Sequence, residues 1–158
     1  MTSTLQIQIL RIYVSPGHNL WGHHKQPPGQ HETLEVKRVQ CLARRGLNGD
    51  RICDFKPDYK GQVTFFAWEV YASLRRKCKV SNVPPSVFRR NIITRGFDLN
   101  EFIGKEFEIH GVRFSGTEQC SPCHWMNHAF HPEAEECLQV RGGLRARILT
   151  DGWLEVDE

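Results

Sequence analysis

The sequence predicts a β-rich α+β domain, a closed or nearly closed barrel with three or four helices packed outside it. Three observations predict it. The 158 residues, 39% apolar and 25% charged, suit one soluble domain with its own core. Short alternating segments bounded by Gly, Pro and Asn recur along the chain. Strands do not alternate regularly with long helices, which argues against a doubly wound parallel sheet and for a barrel.

In chain order, Leu5, Ile7 and Ile9 alternate with Gln6 and Gln8 as in a half-buried strand, which runs to Val14 and ends at Ser15-Pro16-Gly17. Residues 18–31 form a loop rich in Gly and Pro that carries His18, His23, His24 and His31. Their spacing matches no standard ligand pattern, so the loop reads as polar surface, with a lid role left open. Leu34 and Val36 begin a second strand that continues through Val39 to Leu42, with a phase shift that suggests a bulge. Gly46-Leu47-Asn48-Gly49-Asp50-Arg51 is a polar turn whose glycines permit close approach of backbone to a ligand and whose arginine suits an anion. A simple turn is the competing reading.

Residues 62–78 read as the longest helix, because Phe66, Val70, Leu74 and Cys78 recur every four residues. Arg75, Arg76, Lys77 and Lys79 sit at its C-terminal end, where cations favour the dipole, and read as a solvated helix end rather than a nucleic-acid patch. Phe88 to Gly96 is strand-like and contains Arg89, Arg90 and Asn91. Asp98 and Glu101 have capping-box spacing for a short helix that ends near Gly104. Phe107 to Phe114 is the clearest hairpin: a two-residue turn at His110-Gly111 sets Ile109 opposite Val112 and Phe107 opposite Phe114. Pro132 with Glu133, Glu135 and Glu136 starts another helix, which Gly142-Gly143 ends. Leu144 to Leu149 is a strand bearing Arg145 and Arg147, and Asp151-Gly152 turns the chain into Trp153, Leu154 and Val156. No repeat or linker divides residues 1–158. Residues 1–32 hold the first strand and the His-rich loop, and residues 33–158 the remainder.

The chemistry centres on Cys120-Ser121-Pro122-Cys123. Ser121 can cap a helix and Pro122 suits its first position, which places Cys123 in the first turn, where free N–H groups and the dipole favour a thiolate. Cys123 is the expected nucleophile or soft-metal ligand, with Cys120 as helper or spectator. Of the six cysteines the other four are expected to be plain buried thiols. The CxxC alone fits a zinc knuckle, a redox pair or a lone reactive thiolate; the first lacks a standard second ligand pair and the second lacks a βαβ context. A net charge of +3 permits an anionic ligand without requiring nucleic acid. The N-terminus lacks the basic and apolar regions of a signal peptide, and no apolar run is long enough to span a bilayer, so a cytoplasmic protein without membrane or nucleic-acid partners is expected.

Several blocks together resemble one family. Arg89-Arg90-Asn91-Ile92, Gly96-Phe97-Asp98-Leu99, Gly104-Lys105-Glu106-Phe107, residues 116–123 and residues 141–147 are similar to the MOSC domain (molybdenum cofactor sulfurase C-terminal domain). Gly46 to Arg51 and Gln62-Val63-Thr64 match its earlier blocks, in order. The resemblance runs from about Val36 to the C-terminus. It implies a β-barrel that binds molybdenum cofactor, with Cys123 as a sulfur ligand to molybdenum. It also implies reduction of N-hydroxylated compounds, such as amidoximes and base analogues, with electrons from a separate redox protein. Within those blocks Arg90, Asn91, Arg51, Asp50, Gly49, Arg89 and Arg145 are the candidates for holding the cofactor and its phosphate. The amidoxime-reducing members carry an extra N-terminal domain that helps enclose the cofactor. Here residues 18–31, or a partner chain, are expected to supply that wall. Two other functions use the same thiolate: a sulfur carrier with a Cys123 persulfide, and a non-enzymatic cofactor-binding module. No lysine motif supports pyridoxal phosphate chemistry.

Overall fold

The structure is a computed structural model and describes residues 7–16, 33–122 and 124–157. The His-rich loop and Cys123 lie outside the described residues. Ten strands and three α-helices are seen among those described: β1 Gln8–Val14, β2 Leu34–Val36, β3 Arg38–Leu42, β4 Gly46–Leu47, β5 Val63–Ala67, α1 Trp68–Cys78, β6 Ile92–Arg95, β7 Glu106–Ile109, β8 Val112–Gln119, α2 His124–Ala129, α3 Ala134–Cys137, β9 Leu144–Ile148 and β10 Gly152–Glu155.

The fold is β-rich α+β, as predicted, but no closed barrel is seen among the described residues. Seven strands form a mixed sheet in the order β2-β1-β6-β5-β9-β8-β7, and three form a second sheet, β10-β3-β4. Among the described residues the larger sheet therefore keeps β2 and β7 as edges. The reason lies in the stretch read as one strand with a bulge. It breaks at Lys37, so that Leu34–Val36 pairs with β1 in the large sheet and Arg38–Leu42 pairs with β10 in the small one. A strand that changes sheets makes a corner between two packed layers. Single backbone hydrogen bonds span the layers: Arg44 N–H to Ile148 O at 2.8 Å and Asp157 N–H to Ile9 O at 2.9 Å.

Two cores result. One lies between the sheets and joins Val39, Cys41, Leu47 and Leu154 to Ile9, Ile12, Phe65, Ile92, Phe107, Phe114 and Ile148. Each fully buried large side chain there contributes roughly 1.5–3 kcal/mol of transfer free energy. The other lies on the outer face of the large sheet, where Tyr13, Phe66 and Ile93 meet Tyr71 and Leu74 of α1, Met126 of α2 and Leu138 beyond α3.

The predicted helix over residues 62–78 is half right. Gln62 precedes the first regular element, Val63–Ala67 form a central strand, and the helix begins at Trp68. β5 is covered on both faces, so Phe65 points to one core and Phe66 to the other. Burial on both sides erases the alternation that marks a strand. The hairpin has the predicted register, Ile109 opposite Val112 and Phe107 opposite Phe114, with positive φ at His110 and Gly111 as a type I′ turn requires. Asp98 caps forward onto Asn100 N–H at 3.0 Å and starts a 3-10 helix, Leu99–Phe102. The strand-like stretch after Phe88 is a strand only over Ile92–Arg95; a 3-10 helix, Pro85–Phe88, precedes it, and Arg89 has a left-handed φ of 62°. That departure from strand geometry turns Arg89 away from the strand path, while Asn91 O still accepts from Tyr13 N–H of β1 at 2.7 Å.

Candidate functional site

A cavity of about 760 Å³ opens beside the start of β5 and gathers segments distant in sequence. Asp50, Arg51, Arg89, Arg90, Asn91, Cys120 and Arg145 all line it. Of the described candidate residues only Gly49 does not. It shapes the turn instead, with φ of +92°, which brings Asp50 inward.

Asp50 is 6% exposed and anchors the turn to the end of β1. Its Oδ1 accepts from Ser15 N–H at 2.9 Å, its Oδ2 accepts from Ile52 N–H at 3.3 Å, and Arg51 N–H donates to Ser15 O at 2.7 Å. The turn is thereby fixed, and the Arg51 side chain enters the cavity wall. Its Nε is buried with no hydrogen-bond partner. Burial lowers the pKa of this guanidinium; Asp50 and Tyr59 oppose the shift and the Arg90 charge adds to it. Arg89, whose Nη1 donates to Thr33 Oγ1 at 2.8 Å, is held down to about 10, first by burial and then by the Arg51 charge. Two partly dry cations thus repel each other across one wall, an arrangement that a bound anion would relieve.

Arg90 and Asn91 have other work. Arg90 donates from Nε to Gly142 O at 2.8 Å, from Nη1 to Phe88 O at 3.0 Å and from Nη2 to Ser121 O at 3.5 Å. It is a clamp that holds the Cys120 segment against the 142–143 segment. Asn91 Oδ1 accepts from the backbone N–H and the hydroxyl of Thr64, both at 3.1 Å, and its Nδ2 donates to Tyr13 O at 3.1 Å. Its side chain joins β1, β5 and the entry to β6, so its first role at the cavity is structural. Arg145 is paired with Glu118 at 3.1 Å, and Lys60 binds the same carboxylate at 3.1 Å. Glu118 offsets part of the Arg145 charge, since that carboxylate is shared between two cations.

Cys120 is 3% exposed, and its N–H donates to Gly143 O at 2.8 Å. Ser121 follows it along the cavity wall. α2, the helix that the Ser121-Pro122 signal predicts, is described from His124 and is six residues long. Its Trp125 and Met126 complete the wall, and the Trp125 indole N–H is fixed by Val87 O at 2.8 Å. Opposite in sequence, the turn after Arg51 contributes Phe55 and Tyr59, ring centroids 5.1 Å apart and edge-on. These aromatic residues were not among the sequence candidates. The available signal was their place just after the Gly-rich turn, but nothing local aims a loop aromatic at a site. Among the described residues no cluster of three or more His, Cys, Asp and Glu side chains is placed to hold a metal ion, so a zinc site of that kind is not seen there. No helix among them is long and apolar enough to cross a membrane.

A second hollow, about 540 Å³, lies at the start of α1 beside Val70, Phe97, Leu99 and Val140. It contains neither Cys120 nor Arg51 and Arg89.

Comparisons with known proteins follow the fold. The MOSC domain family matches residues 44–158. The YuaD protein of Bacillus subtilis has a similar structure, with a TM-score of 0.70 and 11% identity over 97% of this chain and 94% of that one. YiiM of Geobacillus stearothermophilus superposes with a TM-score of 0.65 and 14% identity, covering 94% of this chain and 71% of its own. YiiM of Escherichia coli gives 0.61 and 18%, covering 94% and 67%. A search of curated proteins finds no match.

Proposed function

We propose, given that this chain belongs to the MOSC domain family, that its basic cavity holds molybdenum cofactor and that the protein reduces N-hydroxylated compounds there. The observation that carries the reading is the Arg51 guanidinium, whose Nε is buried and unpartnered, beside Arg89 in a cavity also lined by Cys120 and Ser121.

The residues present suit such a group. The cofactor has a phosphate, and Arg51 and Arg89, both desolvated by burial, supply positive charge for it. It has a planar pterin, and Phe55, Tyr59 and Trp125 supply flat apolar surface. A cavity of about 760 Å³ lies within the usual range for organic ligands. Cys123, three residues beyond Cys120, is the proposed thiolate ligand to molybdenum, with Cys120 beside it in sequence as a helper. When bound, the cofactor would supply two-electron redox chemistry, through which two electrons from a separate donor protein and two protons from solvent would cleave the N–O bond to give the reduced amine or amidine and water. The protein's own part is to orient and enclose. Arg90 fixes the cysteine segment to the 142–143 segment, Asp50 fixes the Arg51 turn, and Asn91 fixes the strands beneath.

The test is elemental analysis of protein purified from a host that makes the cofactor. Near-stoichiometric molybdenum, lost in Cys123→Ser, is expected, together with reduction of an amidoxime or hydroxylated purine by an artificial electron donor. Molybdenum without turnover would leave a binding module. A persulfide on Cys123 with no molybdenum would overturn the proposal in favour of sulfur transfer.

A further inference from the structure

The four cysteines outside the CxxC are not uniform. Cys41 is fully buried, whereas Cys53, Cys78 and Cys137 are partly exposed. Two of these form a pair. Cys78 is the last residue of α1 and Cys137 the last of α3. Both pack on the rim of the helix-side core, where α3 packs against α1, and Cys137 is near enough to act on the Cys78 thiol. Fifty-nine positions apart in sequence (137 less 78), they are brought together only by the packing of α3 on α1.

We propose that Cys78 and Cys137 form a reversible disulfide that ties the end of α1 to the end of α3. The oxidant is a low-molecular-weight disulfide such as oxidised glutathione. The Cys137 thiolate attacks one of its sulfurs, the S–S bond breaks, and one small thiolate leaves. Cys78 then loses its proton and attacks the Cys137 sulfur of the mixed disulfide, and the second small thiolate leaves. Two protein thiols are oxidised and one small disulfide is reduced to two thiols. Burial, with the nearby Cys137 and Glu133, raises the Cys78 thiol pKa, so Cys78 is a poor first nucleophile and takes the resolving step.

The bridge would act on the wall of the cavity. α3 holds α2 through Glu135, whose N–H donates to Asn127 Oδ1 at 2.8 Å and whose carboxylate accepts from Asn127 Nδ2 at 3.3 Å. α2 in turn carries Trp125 and Met126. Fixing α3 to α1 stiffens that support without touching the arginines. The proposal does not depend on which cofactor the cavity takes.

The test is incubation of the full chain with excess oxidised glutathione, alkylation, and digestion after acidic residues, which puts Cys78, Cys137 and the Cys120–Cys123 pair on three different peptides. The expected result is a cross-linked Cys78–Cys137 peptide pair and a melting temperature higher by several degrees, both reversed by dithiothreitol. In Cys78→Ser, Cys137 should retain one glutathione with no cross-link. Free, alkylated thiols at both positions would overturn the proposal. So would glutathione adducts without a cross-link in the unmutated chain, or a cross-link at Cys120–Cys123 alone.

Discussion

A Cβ placed on Gly142 would stand 2.2 Å from the carbonyl oxygen of Cys120. The same atom would be 3.2 Å from the ring nitrogen of Pro122. No flexible side chain can yield there, because the obstacle is backbone. Gly142→Ala is therefore expected to destabilise the fold by about 3 kcal/mol, the upper end for overpacking, and to displace the cysteine segment from the cavity. Urea unfolding reads the first effect and molybdenum retention the second. A variant as stable as the parent would show that the segment is loosely held.

Arg51→Gln separates a ligand role from a structural one. Its guanidinium carries a desolvation cost and has no hydrogen-bond partner at Nε. In protein free of ligand the variant should lose little stability, since the desolvation penalty it removes offsets the lost attraction to Asp50. Anion binding should weaken by roughly ten- to a hundredfold, the worth of about 1.5–3 kcal/mol for a charged hydrogen bond. Thermal shifts with and without inorganic phosphate measure both quantities. Equal phosphate response in the two proteins would remove Arg51 from the site.

Asn91 should behave in the opposite way. Asn91→Leu strips the Thr64 N–H and Tyr13 carbonyl of their partner. A cost of about 2–3 kcal/mol in stability is expected for leaving buried backbone groups unsatisfied. Asn91→Ser, which restores one donor and acceptor, should recover part of it. The readout is the denaturation midpoint, with cofactor content expressed per folded molecule.

Alkaline pH should weaken the fold through Cys41. The residue is fully buried, and burial pushes its thiol up to about 12. The unfolded chain releases that proton near its ordinary pKa of about 8.5. Between those values the native state binds more protons, so stability falls as pH rises, by up to about 1.4 kcal/mol per pH unit, and is unaffected below. Tyr13, raised from 10.0 to about 12 chiefly by burial, adds to the fall once pH passes its ordinary value. Cys41→Val should flatten the slope between about pH 9 and 10, where Cys41 acts before Tyr13. Chemical denaturation across that interval checks it.

What the sequence determined by itself was the local grammar and the identity of the basic residues. The His110-Gly111 hairpin, the Asp98 cap and the Gly49 turn are settled by neighbours a few positions away, so each is visible in a short window. The ordered blocks also pointed to Arg51, Arg89, Arg90, Asn91, Arg145 and Cys120, which do meet at one cavity. Only the tertiary structure decided their work. Whether an arginine is open to a ligand depends on which carbonyl or carboxylate lies beside it: Gly142 O occupies Arg90, Glu118 occupies Arg145, and Arg51 Nε is left unpaired. The same holds for the fold. Residues 63–67 carry a helical spacing that burial on both faces overrides, and the break at Lys37 that divides one stretch between two sheets follows from which sheet each half can join. Such outcomes depend on long-range packing, and a pattern read along the chain contains no term for it.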